Sequence, residues 1–93
     1  MSAATRDKVE SMRRSLLQET AHHIEASIPG VKEAVAKAWA NPNKNPITQY
    51  ARQKPGEYFA ESLIAYMVER NALTEHDPIG VRMVEQAIAL MQQ

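Results

Sequence analysis

The chain has 93 residues, and its eleven basic and eleven acidic side chains cancel. That length admits one domain with a modest core, and the neutral balance argues against long-range recruitment of nucleic acid or an anionic membrane and against a DNA-mimicking surface. Cysteine is absent, which removes disulfides and thiolate-held metal, and neither the longest apolar stretch (63–68) nor the charged residues 1–25 can serve as a membrane span or signal peptide. The expectation is one cytoplasmic domain over 1–93 with no nucleic-acid or membrane partner.

From the N-terminus, Val9, Met12, Leu16, Thr20, Ile24 and Ile28 recur at steps of three and four, the mark of an amphipathic helix over 5–28. Thr5 stands where an N-cap is needed. Pro29-Gly30 breaks that helix. Val31, Val35, Ala38 and Trp39 outline a second over 30–39. It must stop before Asn41-Pro42, because proline restricts the residue ahead of it and donates no hydrogen bond. Residues 40–56 carry Pro42, Pro46, Pro55 and three asparagines and show no apolar period. So long a connection in a small domain is a candidate for binding or site building, and Tyr50 lies in it.

Pro55 suits the first turn of a third helix, over 55–70. Tyr58, Phe59, Leu63, Ile64, Tyr66, Met67 and Val68 leave that helix almost no polar side, which places it at the centre of the fold. A linker over 71–77 follows. Asp77 then caps a last helix, 78–92, which Pro78 opens and which faces inward through Val84, Ala87, Ile88 and Met91. The reading is all-α, four helices around the third, with no strand, repeat or low-complexity segment.

Gln18 and His22 are four residues apart, one turn from each other on the first helix, with Glu19 beside them. By helical angle their face lies opposite the apolar stripe and is shared with Ser11, Arg14 and Glu25. Taken alone, it reads as a solvated surface. Glu57 and Glu61, again four apart, lie on a stripe that continues as Ile64 and Val68. Carboxylates on a stripe heading into a core need a partner or a metal. The helix dipole offers each some tenths to about 1 kcal/mol instead, a good account for Glu57 and a weaker one for Glu61. His23, about 100° round the helix from His22, points to the apolar flank as a buried, hydrogen-bonded histidine. His76 reads as solvated, and Trp39 and the five methionines as packing.

The stretch YARQKPGEYFAESLIAY over 50–66 resembles the second half of the zinc site in anthrax lethal factor-like peptidases of the gluzincin group. Their pattern is a tyrosine, a six-residue gap, then Glu-aromatic-Phe-Ala-Glu. Upstream, LLQETAHHIEA over 16–26 is similar to the family's active-site helix, and together the two matches cover much of 16–66. The resemblance implies the helical part of a zincin-like catalytic domain. In it Glu57 and His22 would be zinc ligands, Glu19 the general base, Tyr50 the helper of the developing oxyanion, and Glu61 a support behind the ligands.

Gln18 stands where the family has its first histidine, and a neutral amide carbonyl is a poor zinc ligand beside imidazole. The family also sets a β-sheet ahead of the active-site helix to hold extended substrate, and this chain begins too close to that helix to supply one. The resemblance therefore implies a degenerate, inactive zinc-peptidase-like module with no resident cofactor and with a protein partner. Related domains occur on toxins and on phage and other mobile-element proteins, which points to an inhibitor or adaptor; a homo-oligomer is allowed. The alternative is a minimal zinc-dependent peptidase in which Gln18, His22, Glu57 and water hold the ion, with Glu19 as base and Tyr50 over the metal. Without the resemblance, the chain reads as a helical dimerisation or adaptor domain whose Glu57 and Glu61 are ordinary polar groups.

Overall fold

A computed structural model describes residues 2–13 and 16–93 of the chain. Its helices are α1 (Ala3–Arg13), α2 (Leu16–Ser27), α3 (Val31–Ala40), α4 (Pro55–Val68), α5 (Arg70–His76) and α6 (Pro78–Met91), with a 3-10 turn at Tyr50–Arg52. The described residues contain no strand, so the fold is all-α. No helix among them is long and apolar enough to cross a membrane.

Ser2, and not Thr5, caps the first helix. Its Oγ accepts the Thr5 backbone N–H at 3.2 Å, the bond an N-cap makes to the third helical residue. Thr5 is that third residue and is buried. Where the sequence reads one helix over 5–28, the structure has α1 and α2. The join at 14–15 lies outside the described residues, as do the side chains of Ser11, Met12, Arg14 and Leu16.

The apolar face of α2 also runs differently from its reading in sequence. Ala21 is fully buried, Leu17, Ile24 and Ile28 pack half-buried against the core, and Thr20 is exposed. At 100° per residue, Gln18 and Glu25 lie only about 60° and 40° from Ala21 instead of opposite the stripe. The same geometry puts His23 about 160° away from Ala21. It is exposed, not buried, with Ser27 Oγ 3.4 Å from its Nε2.

Helix α4 is the centre of the fold. It touches each of the other five helices, and it buries Tyr58, Phe59, Ala60, Ile64 and Ala65 together with the polar Glu57, Glu61 and Ser62. Its one large exposed apolar side chain is Met67. The helix stops at Val68, where Glu69 adopts φ −148° and ψ 57°.

The expected linker over 71–77 is instead mostly α5. Only Ala72 and Leu73 are apolar in that helix, too few to show a period, and burial of Leu73 fixes it. Helix α6 faces inward through Gly80, Met83, Val84 and Ala87. Ile88 is half-buried and Met91 exposed, so the inner face sits nearer the start of the helix than the apolar period places it.

Asp77 precedes α6 as expected, but its carboxylate makes no capping bond. Its Oδ2 accepts the Tyr58 hydroxyl at 2.7 Å and its Oδ1 accepts the Asn45 backbone N–H at 3.1 Å, tying α4, the long loop and α6 together. Gly80 is required here, since a Cβ at that position would stand 2.5 Å from Asp77 Oδ2. Trp39 leans on Tyr58 with ring centroids 5.8 Å apart, and Lys44 Nζ sits 4.8 Å above the indole. His76 is half-buried, and its carbonyl accepts the Asn45 side-chain amide at 3.0 Å.

Burial, then the hydrogen bond to Asp77 and its charge, push the Tyr58 phenol far above its ordinary value of 10.0. The folded chain therefore keeps a proton that the unfolded chain releases in alkali. Stability is intact below about pH 10 and falls above it by about 1.4 kcal/mol per pH unit. Tyr58→Phe should flatten that alkaline slope and cost about 1–3 kcal/mol at neutral pH, because buried Asp77 loses a donor. Urea unfolding of both proteins from pH 7 to 11 checks this, and equal slopes would refute the assignment.

Candidate functional site

The site forms where α2 crosses the first turn of α4. Pro55 opens α4, so Glu57 is its third residue and sits at the positive end of the helix. The Glu57 side chain is only 6 % exposed. Its Oε2 accepts a hydrogen bond from Gln18 Nε2 at 2.7 Å, and its Oε1 faces His22 Nε2 at 3.1 Å. Two side chains one turn apart on α2 thus hold both oxygens of one carboxylate, which is how a carboxylate in a dry position is made tolerable. Gly56 lets the helices approach. A Cβ there would lie 3.3 Å from Glu25 Oε1 and 3.5 Å from the His22 ring, so Glu25 also borders the cluster.

Glu61, one turn further along α4, is fully buried. Its Oε1 accepts the Thr48 hydroxyl at 2.9 Å, and Thr48 Oγ1 in turn accepts the Ala51 backbone N–H at 3.0 Å. Glu61 therefore fixes the 3-10 turn that carries Tyr50 against α4. Thr48 is the residue that sequence reasoning missed. The only signal for it was a threonine three residues ahead of Ala51, a spacing that suits local side chain-to-backbone bonding. Tyr50 itself is half-buried, and Glu19 is exposed. The structure thus brings Gln18, His22 and Glu57 into contact, and links Glu61 to the Tyr50 turn through Thr48.

Zinc is the metal that the sequence resemblance implies, and zinc sites of this kind use three strong protein donors. Among the described residues, no group of three or more His, Asp or Glu side chains is disposed to hold a metal. His22 and Glu57 supply two donors. The third neighbour, Gln18, turns its N–H toward the carboxylate rather than a lone pair toward a shared centre. As they stand, these three side chains satisfy one another and do not fit zinc.

Compared with known proteins, the chain matches no family model, and no curated protein or solved structure was found to be similar to it.

Proposed function

We propose that this chain is a degenerate zinc-peptidase-like helical module that works by binding a protein partner rather than by catalysis. The observation that carries the reading is the 2.7 Å contact from Gln18 Nε2 to Glu57 Oε2. An amide N–H there consumes a carboxylate oxygen, at the position where the resemblance to lethal factor-like peptidases would put a histidine ligand. On this reading the remaining residues serve architecture. His22 and Gln18 clasp α2 to α4 through Glu57, and Glu61 and Thr48 hold the Tyr50 turn. A small helical unit of this kind suits an inhibitor or adaptor such as phage and other mobile elements carry.

One observation favours the competing reading, a minimal zinc peptidase with Glu19 as base. His22 Nε2 and Glu57 Oε1 are 3.1 Å apart, near the roughly 3.4 Å that separates two ligands of a tetrahedral ion at zinc bond lengths. Zinc calorimetry on the metal-stripped protein, with Glu57→Ala as control, separates the two. No heat of binding at micromolar zinc is the expected result. Tight binding that disappears in Glu57→Ala would overturn the proposal and restore the peptidase.

A further inference from the structure

We infer that the groove between α3 and α6 is a docking site for an amphipathic helix of a protein partner, one that carries an acidic residue on its apolar edge. This names the partner surface of the module proposed above and rests on that reading, although it shares no residue with the Gln18–His22–Glu57 cluster. The groove has a volume of about 600 Å³ and runs from Gly30 to Asn41 along α3 and from Ile79 to Leu90 along α6. That length is about three helical turns, or about 16 Å. Its floor is apolar and only partly covered, with Ala34 and Leu90 half-buried beside buried Met83. A three-turn trough with an apolar floor and a polar rim matches the way an amphipathic helix docks, through anchors spaced three or four residues apart.

The charges on the rim select the partner. A Cβ on Gly30, just before α3, would meet Leu90 Cδ1 near the end of α6 at 3.2 Å, and beyond the end of α3 the Asn45 N–H reaches Asp77 Oδ1 at the start of α6, so the two helices run antiparallel. Seven residues on from Gly30 is Lys37, and eight back from Leu90 is Arg82, steps of about 10.5 and 12 Å along the two axes. Lys37 and Arg82 therefore line the two walls of the groove at similar levels, while the rim's acidic residue, Glu33, stands one turn from Lys37 on α3. Both cations are exposed, and neither has an ion-pair partner among the described residues. Two like charges opposite each other repel until an anion lies between them, and a carboxylate on the incoming helix is that anion. A second copy of this chain docked groove to groove suits it less well, because a concave face does not fill a concave face.

The test uses the whole 93-residue protein and a phage-displayed library of 16-residue helical peptides. One face of each peptide is fixed as leucine at helical spacing, and the flanking positions are random. Selected peptides are expected to share an Asp or Glu at one flanking position and to shift NMR signals of α3 and α6. Arg82→Glu and Lys37→Glu should each weaken binding about tenfold or more, and changing the peptide acid to lysine should restore binding to the Arg82→Glu protein. Peptides that need no acid, or no enrichment at all, would overturn the inference. So would a dimer, seen by sedimentation, that Arg82→Glu dissolves. Peptides that bind with shifts mapped elsewhere would remove the groove while leaving the protein-binding reading intact, whereas Glu57-dependent zinc binding would remove that reading and leave the groove data standing.

Discussion

Gln18→His is expected to turn the clasp between α2 and α4 into a zinc site. The substitution puts imidazoles at two positions four residues apart on α2, one turn from each other. Glu57 already faces that pair, with its Oε1 3.1 Å from His22 Nε2. Two histidines and a glutamate are a known complete protein set for a zinc that keeps one position open. The same change removes the amide N–H that now engages Glu57 Oε2, so the carboxylate gains a free oxygen as the third ligand arrives. Groups that merely support a metal ligand are worth about 10–100-fold in affinity, and a ligand should be worth more. Calorimetry should therefore show Gln18→His binding zinc at least about a hundredfold more tightly than wild type. A zinc concentration of 100 Kd should then stabilise the variant by about 2.7 kcal/mol, visible as a raised Tm. Adding Glu57→Ala should erase both effects. If Gln18→His ignores zinc, the three side chains do not point at a common centre and the likeness to a metal site is one of sequence only.

The sequence carries the fold class because its punctuation is strong. Pro29-Gly30, Pro55 and Pro78 mark helix boundaries, α3 and α6 show an apolar face by period, and α4 shows its central place by being apolar on almost every side. What stayed hidden in sequence depends on small residues and distant partners. The inner face of α2 is centred on Ala21, a methyl group that carries little weight in an apolar pattern, so the pattern draws Thr20 into the stripe and sets Gln18 and His22 on the opposite side. Helix α5 offers one buried anchor, Leu73, and no repeat. Asp77 occupies a capping position, yet Tyr58 and Asn45 compete for its carboxylate from 19 and 32 residues away. At the site, the four-residue spacings put Gln18 with His22 and Glu57 with Glu61. Nothing local could show that Gln18 would reach Glu57 across 39 residues, or that Glu61 would hold Thr48 instead. Such contacts follow from how α2 and the long loop settle on α4, a matter of packing rather than of pattern.

Phe59→Ala should be a severely damaging core substitution on α4, at about 3–5 kcal/mol. Phe59 is 1 % exposed on a helix that every other helix touches, so no solvent can enter to soften the loss. A domain of this size holds roughly 5–14 kcal/mol in all, so the variant should lose a large part of its stability and at the low end of that range should not fold at room temperature. Met67→Ala on the same helix is the control. It deletes a large apolar side chain that is 57 % exposed and should change stability by no more than about 0.5 kcal/mol. Urea unfolding of the two variants against wild type separates burial from mere hydrophobicity, because both changes remove a long apolar side chain from one helix. A cost under about 1 kcal/mol for Phe59→Ala would mean that α4 is not the packed centre. The Glu57 and Glu61 contacts, which depend on α4 being held from all sides, would lose their frame with it.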